Sequence, residues 1–279
     1  SLSLEMTRKV LIVLFIALMF CSWDSAPEAA TIYVRDNYSS IQDAIDNALA
    51  EDTIIVREGE YRENIRVSKP LTLKSEKGPD KTIVKAAKSG EPVFYISEMK
   101  NAAIIGFTAR ESSIAGIYLN KAGNIELKNN KTPQNRNGIF LYSSNDNILT
   151  NNNSNANDLT GIYLESSHNN TLEKNEANSN KEKGIFLNAS NNNNLTHNIA
   201  NRNEWNGITL WVSNNNRVEK NEVMRNTYSI ILSGSTGNVV NDNYTWTNLY
   251  IILPIILIYI GIIMFFIQRK IFSLFYSEL

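Results

Sequence analysis

Residues 161–175 read GIYLESSHNNTLEKN, and residues 184–198 read GIFLNASNNNNLTHN. Their correspondence extends to six blocks of 22 or 23 residues, starting at Gly116, Gly138, Gly161, Gly184, Gly207 and Ser229. With each first residue as position zero, position one is Ile117, Ile139, Ile162, Ile185, Ile208 and Ile230. Position three is Leu119, Leu141, Leu164, Leu187, Leu210 and Leu232, and position eleven is Leu127, Leu149, Leu172, Leu195, Val218 and Val240. Asparagine recurs at position nine (Asn147, Asn170, Asn193, Asn216, Asn238) and at position fourteen (Asn130, Asn152, Asn175, Asn198, Asn221, Asn243). Fixed columns at such a period mean stacked repeats. Apolar residues two apart give strand alternation with one face inward. The blocks lack a helical run, and Gly, Ser and Asn punctuate them as turns require. Each block therefore reads as one coil of short strands, and stacked coils pair as parallel strands about 4.8 Å apart. The prediction is an all-β chain folded as a parallel β-helix, right-handed by the usual rule for crossovers, with about eight coils. Its asparagine columns are read as internal ladders: a turn Asn tolerates a left-handed backbone, and stacked amides hydrogen-bond to one another.

The remainder is assigned around this array. Met6 is read as the start, with residues 1–5 an upstream extension. Residues 6–30 resemble a secretory signal peptide: Arg8 and Lys9 precede the apolar run 10–20. A lipoprotein alternative would use the sole cysteine, Cys21, but Phe20 before it is bulky. Residues 31–34 form a first strand, and residues 40–50 an amphipathic helix with Ile41, Ala44, Ile45, Ala48 and Leu49 on one face. Ser40 and Asp43 make a capping-box pattern. This helix is the expected cover for the exposed N-terminal end of the solenoid. Residues 53–56, 65–67 and 71–73 are further strands, with Glu58-Gly59 a turn. The columns extend backwards to a block at Val93 and a weaker one at Pro70. Residues 249–267 carry no charge and are long enough to span a bilayer. Arg269 and Lys270 follow, favouring a cytoplasmic tail at 268–279. The domains are then a leader (1–30), an ectodomain (31–248), a transmembrane helix and that tail. The formal net charge of −1 gives no reason to expect a nucleic-acid partner.

The run SSIQDAIDNALAEDTIIVREGEYRENIRVSKPLTLKS, followed by NGIFLYSSNDNILTNNN and its sister repeats, resembles the NosD-like family of β-helices, also grouped as carbohydrate-binding and sugar-hydrolase (CASH) repeats. The resemblance covers about residues 31–243. It implies a right-handed, pectin-lyase-like solenoid of the kind common on archaeal cell surfaces. Three functions come with it: copper delivery, polysaccharide cleavage or glycan binding.

Each function needs its own residues. Copper needs His, Cys or Met ligands. His168 at position seven and His197 at position thirteen lie in different columns, and Met99 and Met224 are the ectodomain methionines. No metal or cofactor is therefore assigned. Glycoside hydrolysis needs two carboxylates about 5–9 Å apart. Glu173 and Glu219 share position twelve with Thr196 between them, about 10 Å apart over two coils. Glu176 and Glu222 share position fifteen, flanked by Lys174 and Lys220, as on a solvated face. The strongest candidate is position two, which points outward and carries Tyr95, Tyr118, Phe140, Tyr163 and Phe186 on successive coils. An exposed aromatic stripe is a contact surface, and its rings suit sugar faces or a partner protein. The alternative is rings that stack on one another to hold the sheet. Tyr142 and Trp211 at position four widen the platform. Seven Asn-x-Ser/Thr triplets exist. Asn130, Asn152 and Asn243 fall in the internal ladder, leaving Asn37, Asn169, Asn188 and Asn194 as glycosylation sites. The combined reading is a membrane-anchored envelope scaffold or carbohydrate-binding module whose partner is an envelope polysaccharide or surface protein. A polysaccharide hydrolase or lyase is the alternative, and a periplasmic copper protein the third reading.

Overall fold

The computed structural model describes residues 29–247, together with Met6 and Met264. The leader, the 249–267 span and the 268–279 tail expected from sequence lie outside the described residues, apart from residues 29–30 and those two methionines. Among the described residues no helix is long and apolar enough to cross a membrane.

The chain coils into a parallel β-solenoid of about nine turns. One ten-stranded sheet starts at Thr31–Val34 and Thr53–Val56 and ends at Arg217–Glu219 and Val239–Asn241. An eight-stranded sheet runs from Ile65–Val67 and Phe94–Ser97 through Ala115–Asn120, Asn137–Tyr142, Thr160–Glu165, Lys183–Asn188 and Asn206–Trp211 to Tyr228–Ser233. The third side has three strands at one end and two at the other. Single parallel bridges Thr108↔Lys131, Lys131↔Asn153, Asn153↔Glu176, Glu176↔Ile199 and Ile199↔Glu222 join them. The register is that of the columns: Ile139↔Ile162↔Ile185 and Leu149↔Leu172↔Leu195. Ile162, Leu164 and Leu172 and their interior-coil equivalents are fully buried and form the core.

The N-terminal coils depart from the expected register. Phe94 and Ile96 pair with Ile65 and Val67, whereas Leu73 pairs with Ile104 in column eleven. The block at Pro70 is therefore misaligned, because the loops 76–81 and 86–93 on either side of the third-side strand Thr82–Lys85 lengthen that coil. Column eleven continues back through Ile54 and Ile32, which makes nine coils rather than eight. Gly59, expected in a turn, begins the strand Gly59–Arg62.

Helix α1 (Ile41–Asn47) is shorter than the expected 40–50. Ser40 Oγ accepts the Asp43 N–H at 3.1 Å, as a cap should. The reciprocal role falls to Glu63 rather than Asp43: its carboxylate accepts the N–H groups of Ile41 (3.1 Å) and Gln42 (3.0 Å). The Lys69 ammonium stops the helix by donating to the carbonyls of Ile45, Asp46 and Ala48. Ile41, Ala44 and Ile45 are buried; Leu49, past the helix end, is exposed.

In each repeat, positions five, eight, thirteen and eighteen are left-handed, as at Ser166 (φ 50°), Asn169 (58°), Lys174 (55°) and Ser179 (56°). The ladder residue is the next one along, so the expected left-handed ladder asparagine is corrected: the left-handed residue sits one earlier, on Asn, Asp or Gly at position eight and on mixed side chains at positions five, thirteen and eighteen. The ladder side chain then closes the corner. Asn152 N–H donates to Asn175 Oδ1 (3.0 Å), Asn175 N–H to Asn198 Oδ1 (2.9 Å), and so on along the stack. Two more ladders accompany the two read from sequence. Position six carries Ser144, Ser167, Ser190 and Ser213, and position nineteen carries Asn135, Asn157, Asn180, Asn203 and Asn226. The column-zero glycines serve this last ladder. A Cβ on Gly161 would stand 2.7 Å from Asn180 Nδ2 and 2.8 Å from Gly184 O, so close approach requires the glycine.

Candidate functional site

In-register pairing on the eight-stranded sheet fixes what its outer face can be. Position two pairs Tyr95↔Tyr118↔Phe140↔Tyr163↔Phe186, continuing to Thr209. All five aromatic residues are half-buried. The strand spacing sets the ring spacing: Tyr118–Phe140, Phe140–Tyr163 and Tyr163–Phe186 are stacked at 4.7, 4.8 and 4.9 Å, with interplanar angles of 3–6°. Tyr95 tilts by 53° against Tyr118 at 5.4 Å. The interior ring faces are therefore occupied by their neighbours, and a sugar cannot slide between them. The ends are covered as well, by the Arg66 guanidinium 5.3 Å from the Tyr95 centroid and Lys183 Nζ 4.8 Å from that of Phe186. The stripe offers ring edges and hydroxyls to solvent.

Open aromatic faces lie on the flanks. Position four reads Asn120, Tyr142, Glu165, Asn188 and Trp211. Tyr142 is 39% and Trp211 52% exposed. The opposite flank carries a residue the sequence reading passed over, Trp205, which is 54% exposed. Lys183 Nζ lies 5.1 Å from its ring and so bridges Trp205 to Phe186. Trp205 belongs to no apolar column; its signal was a lone tryptophan two residues before a block start. Two clefts run beside the ladder. One of about 290 Å³ is lined by Arg136, Phe140, Leu159, Tyr163, Glu182 and Lys183 among others. Another of about 280 Å³ lies by Arg66, Glu91, Tyr95 and Tyr118.

Five polar side chains of this face are linked by hydrogen bonds. Asn120 Nδ2 donates to Tyr95 Oη (2.8 Å), Asn188 Nδ2 to Tyr163 Oη (3.4 Å), and Tyr163 Oη–H to Glu165 Oε2 (3.1 Å). Burial pushes the Tyr163 hydroxyl up to about 12, with Glu165 adding to the rise and Asn188 opposing it. Burial also raises Tyr118, helped by Tyr95, Tyr142 and Glu165. The Tyr163 phenol thus keeps its proton at neutral pH and donates it to Glu165.

The paired carboxylates lie elsewhere, on the ten-stranded sheet. Glu173 and Glu219 each register with Thr196, one coil apart on either side. Each already has a cation: Lys174 Nζ is 3.0 Å from Glu173, and Arg217 Nη2 is 2.6 Å from Glu219, whose side chain is only 11% exposed. Arg217 was not recognised from sequence as a partner.

Nor do the described residues fit a copper centre. His168 occupies column seven, where Asn145, Asn191 and Asn214 each accept the N–H of a neighbouring coil. Its Nδ1 does the same for Asn191 N–H at 3.0 Å, so His168 replaces an asparagine in that series. His197 is an exposed left-handed turn residue (φ 57°), and Met99 packs against the core. Among the described residues no three His, Cys, Asp or Glu side chains converge on one point. Of the sequons, Asn130 and Asn152 are 1% exposed and locked in the ladder, as Asn243 is at its end. Asn37 and Asn169 are exposed, and Asn188 and Asn194 half-buried.

Residues 45–206, well over half of the 279-residue chain, match the family model described as "Periplasmic copper-binding protein (NosD)". No curated protein matches the sequence. Among solved structures, the periplasmic alginate epimerase AlgG is 17% identical, with a TM-score of 0.53 over 71% of this chain and 60% of that one. ORF18 of Geobacillus virus E2 is 13% identical, with a TM-score of 0.60 over 77% of this chain and 60% of that one. The A-module of the Azotobacter vinelandii mannuronan C-5 epimerase AlgE4 is 14% identical, with a TM-score of 0.52 over 78% and 96%. Pectate lyase Pel9A is 13% identical, with a TM-score of 0.50 over 77% and 78%. The chain thus spans 60% of the length of the first two, and these likenesses establish a shared solenoid fold.

Proposed function

The chain belongs to the NosD family, and from that premise we propose that it is a surface module that binds an extended polysaccharide along the eight-stranded sheet without cleaving it. The observation that carries this is the ring ladder Tyr95–Phe186, bordered by clefts and by the open faces of Tyr142, Trp205 and Trp211. A linear glycan lying along the solenoid axis would meet ring edges and hydroxyls in the middle. Its sugar faces would stack on the flanking tryptophans, which still have a free side. Arg66, Arg136 and Lys183 border the same track and suit acidic sugars.

Against cleavage, Glu173 and Glu219 are each paired with a neighbouring cation and lie two coil spacings apart. A phenol pushed up to about 12 is a poor base for proton abstraction. The enzyme reading keeps support from the epimerase and lyase structures that share the fold. In the binding reading, a leader exports the solenoid, α1 covers its N-terminal end, and residues 249–267 hold it to a membrane. The family's description as periplasmic agrees with an exported domain.

The test is a glycan array probed with purified protein, followed by affinity electrophoresis on any polysaccharide that binds. Trp205→Ala with Trp211→Ala should weaken binding at least tenfold with an unchanged circular dichroism spectrum. Retained affinity in that variant would remove the flanks from the site, and chain shortening of the bound polysaccharide would establish the enzyme instead.

A further inference from the structure

In the interior coils the core columns are sealed: Ile208, Leu210 and Val218 are 0% exposed. One coil further on, their register partners are open. Leu232 is 43% and Val240 36% exposed, and Ile230 is half-buried. The direction of these side chains has not changed; among the described residues no further coil covers them. Around them stand Tyr228 (57%), Val239 (45%), Tyr244 (75%) and Trp246 (48%). A cleft of about 590 Å³ opens among Tyr228, Ile230, Ile231, Val240 and Trp246.

We propose that this C-terminal end face is a membrane-docking surface, resting at the headgroup level of the bilayer that residues 249–267 enter. The inference builds on the anchored reading above and adds the contact surface and the orientation. The tether supplies the first argument. The last strand ends at Thr247 and the uncharged run begins at Leu249. Two residues reach at most about 7 Å, so the end face cannot stand clear of the bilayer.

The composition of the run supplies the second. A lid for a water-exposed core needs one polar face, whereas a segment apolar on all sides is buried or enters lipid. Residues 249–267 contain no charged residue, so covering the core with them in water would expose as much apolar surface as it buried. The end face itself supplies the third argument. Tyr228, Tyr244 and Trp246 have the amphipathic rings favoured at membrane interfaces. Among the described residues the last strands are sheet edges, whose outward N–H and C=O groups hydrocarbon cannot satisfy but headgroups and their water can. The face therefore lies at the interface and not below it. The solenoid then stands upright, with the ring ladder running away from the membrane.

The experiment uses the full chain with Cys21→Ser, reconstituted into phosphatidylcholine–phosphatidylglycerol vesicles. Spin labels are placed singly at Leu232→Cys, Val240→Cys, Leu257→Cys and, at the opposite end, Leu49→Cys. Collision with an aqueous nickel complex is the readout. Labels at 232 and 240 should collide at least threefold less than the label at 49. Full collision at 232 and 240 with a lipid-protected label at 257 would overturn the docking while the anchor stands. Full collision at 257 would overturn the anchor itself. Protection at 232 and 240 accompanied by spin–spin broadening would overturn the docking in favour of end-to-end pairing of two copies. Hydrogen exchange of the unlabelled chain checks the result without substitution: amides of Tyr228–Ser233 should exchange more slowly in vesicles than in short-chain detergent, and equal rates would overturn the proposal.

Discussion

Replacing Asn175 with alanine probes how the solenoid is held together. The side chain is fully buried and makes four hydrogen bonds. Its Nδ2 donates to Leu149 O (2.8 Å) and Asn198 Oδ1 (3.0 Å), and its Oδ1 accepts from Asn152 N–H (3.0 Å) and Asn152 Nδ2 (3.0 Å). Alanine removes all four. The Asn152 N–H becomes a buried donor without its acceptor, which costs about 1–3 kcal/mol, and the other three bonds contribute about 0.5–1.5 kcal/mol each. Water entering the polar gap recovers part of this, leaving an expected loss of about 3–5 kcal/mol. Asn243, at the end of the same ladder, is the control. It accepts twice from Asn221 and donates to Val218 O, but it is half-buried, so solvent replaces what alanine removes. Its expected loss is about 1 kcal/mol. Guanidinium unfolding followed by far-UV circular dichroism measures both. Hydrogen exchange then locates the change, since stacked repeats can open locally. Losses for Asn175→Ala and Asn243→Ala that agree within about 0.5 kcal/mol would refute the claim that the interior ladder holds the corners.

Other outcomes follow from the same geometry. Gly161→Ala should destabilise by about 1–3 kcal/mol, because its Cβ would press on Asn180 and Gly184 O; denaturant midpoints check this. Phe140→Ala breaks two stacked contacts, of about 0.5–1.5 kcal/mol each beyond area, so it should lower stability, whereas Trp211→Ala should not. Tyr163 titrates near 12 in the folded chain against 10.0 as its ordinary value. Between those pH values the unfolded chain has released a proton that the folded chain retains, so stability falls as pH rises through this window; Tyr163→Phe should flatten that fall in alkaline unfolding curves. Deleting residues 249–279 should release the protein from membranes, and continued retention on fractionation would place the anchor in the leader. Glycans, where the host attaches them, should be found among Asn37, Asn169, Asn188 and Asn194, and glycopeptide mass spectrometry at Asn130 and Asn152 should find none.

What could be read from sequence was whatever repeats. Columns one, three and eleven gave the core and the strand register from Phe94 onward, because each coil must bury the same face in the same place. The asparagines at nine and fourteen were visible for the same reason. The serines at six and the asparagines at nineteen repeat as faithfully but were hidden by composition: in a chain so rich in Ser and Asn, a polar column stands out less than an apolar one. The first coils escaped because the loops 76–81 and 86–93 lengthen one of them, and a fixed period cannot absorb inserted residues. The left-handed residues escaped because backbone geometry at a corner is imposed by the ladder residue that follows. At position eighteen Gln134, Ala156, Ser179 and Arg202 accept it without any side chain in common.

The same logic separates residues that hold the fold from residues available for binding. In a parallel stack with exact register, any side chain repeated on successive coils meets its own copies about 4.8 Å away. A column of asparagines becomes a hydrogen-bond ladder and a column of aromatics becomes a ring stack, and each satisfies itself. The position-two stripe looked like an exposed platform from sequence, yet its faces are occupied by the repetition that made it conspicuous. Free faces and unpaired charges can persist only where a column breaks. Position four does so, running Asn120, Tyr142, Glu165, Asn188, Trp211, and so does the flank carrying Arg136, Leu159, Glu182 and Trp205. On this solenoid, specificity for a ligand therefore resides in the irregular positions beside the ladder, and the ladder supplies the rigid rail along which they are spaced.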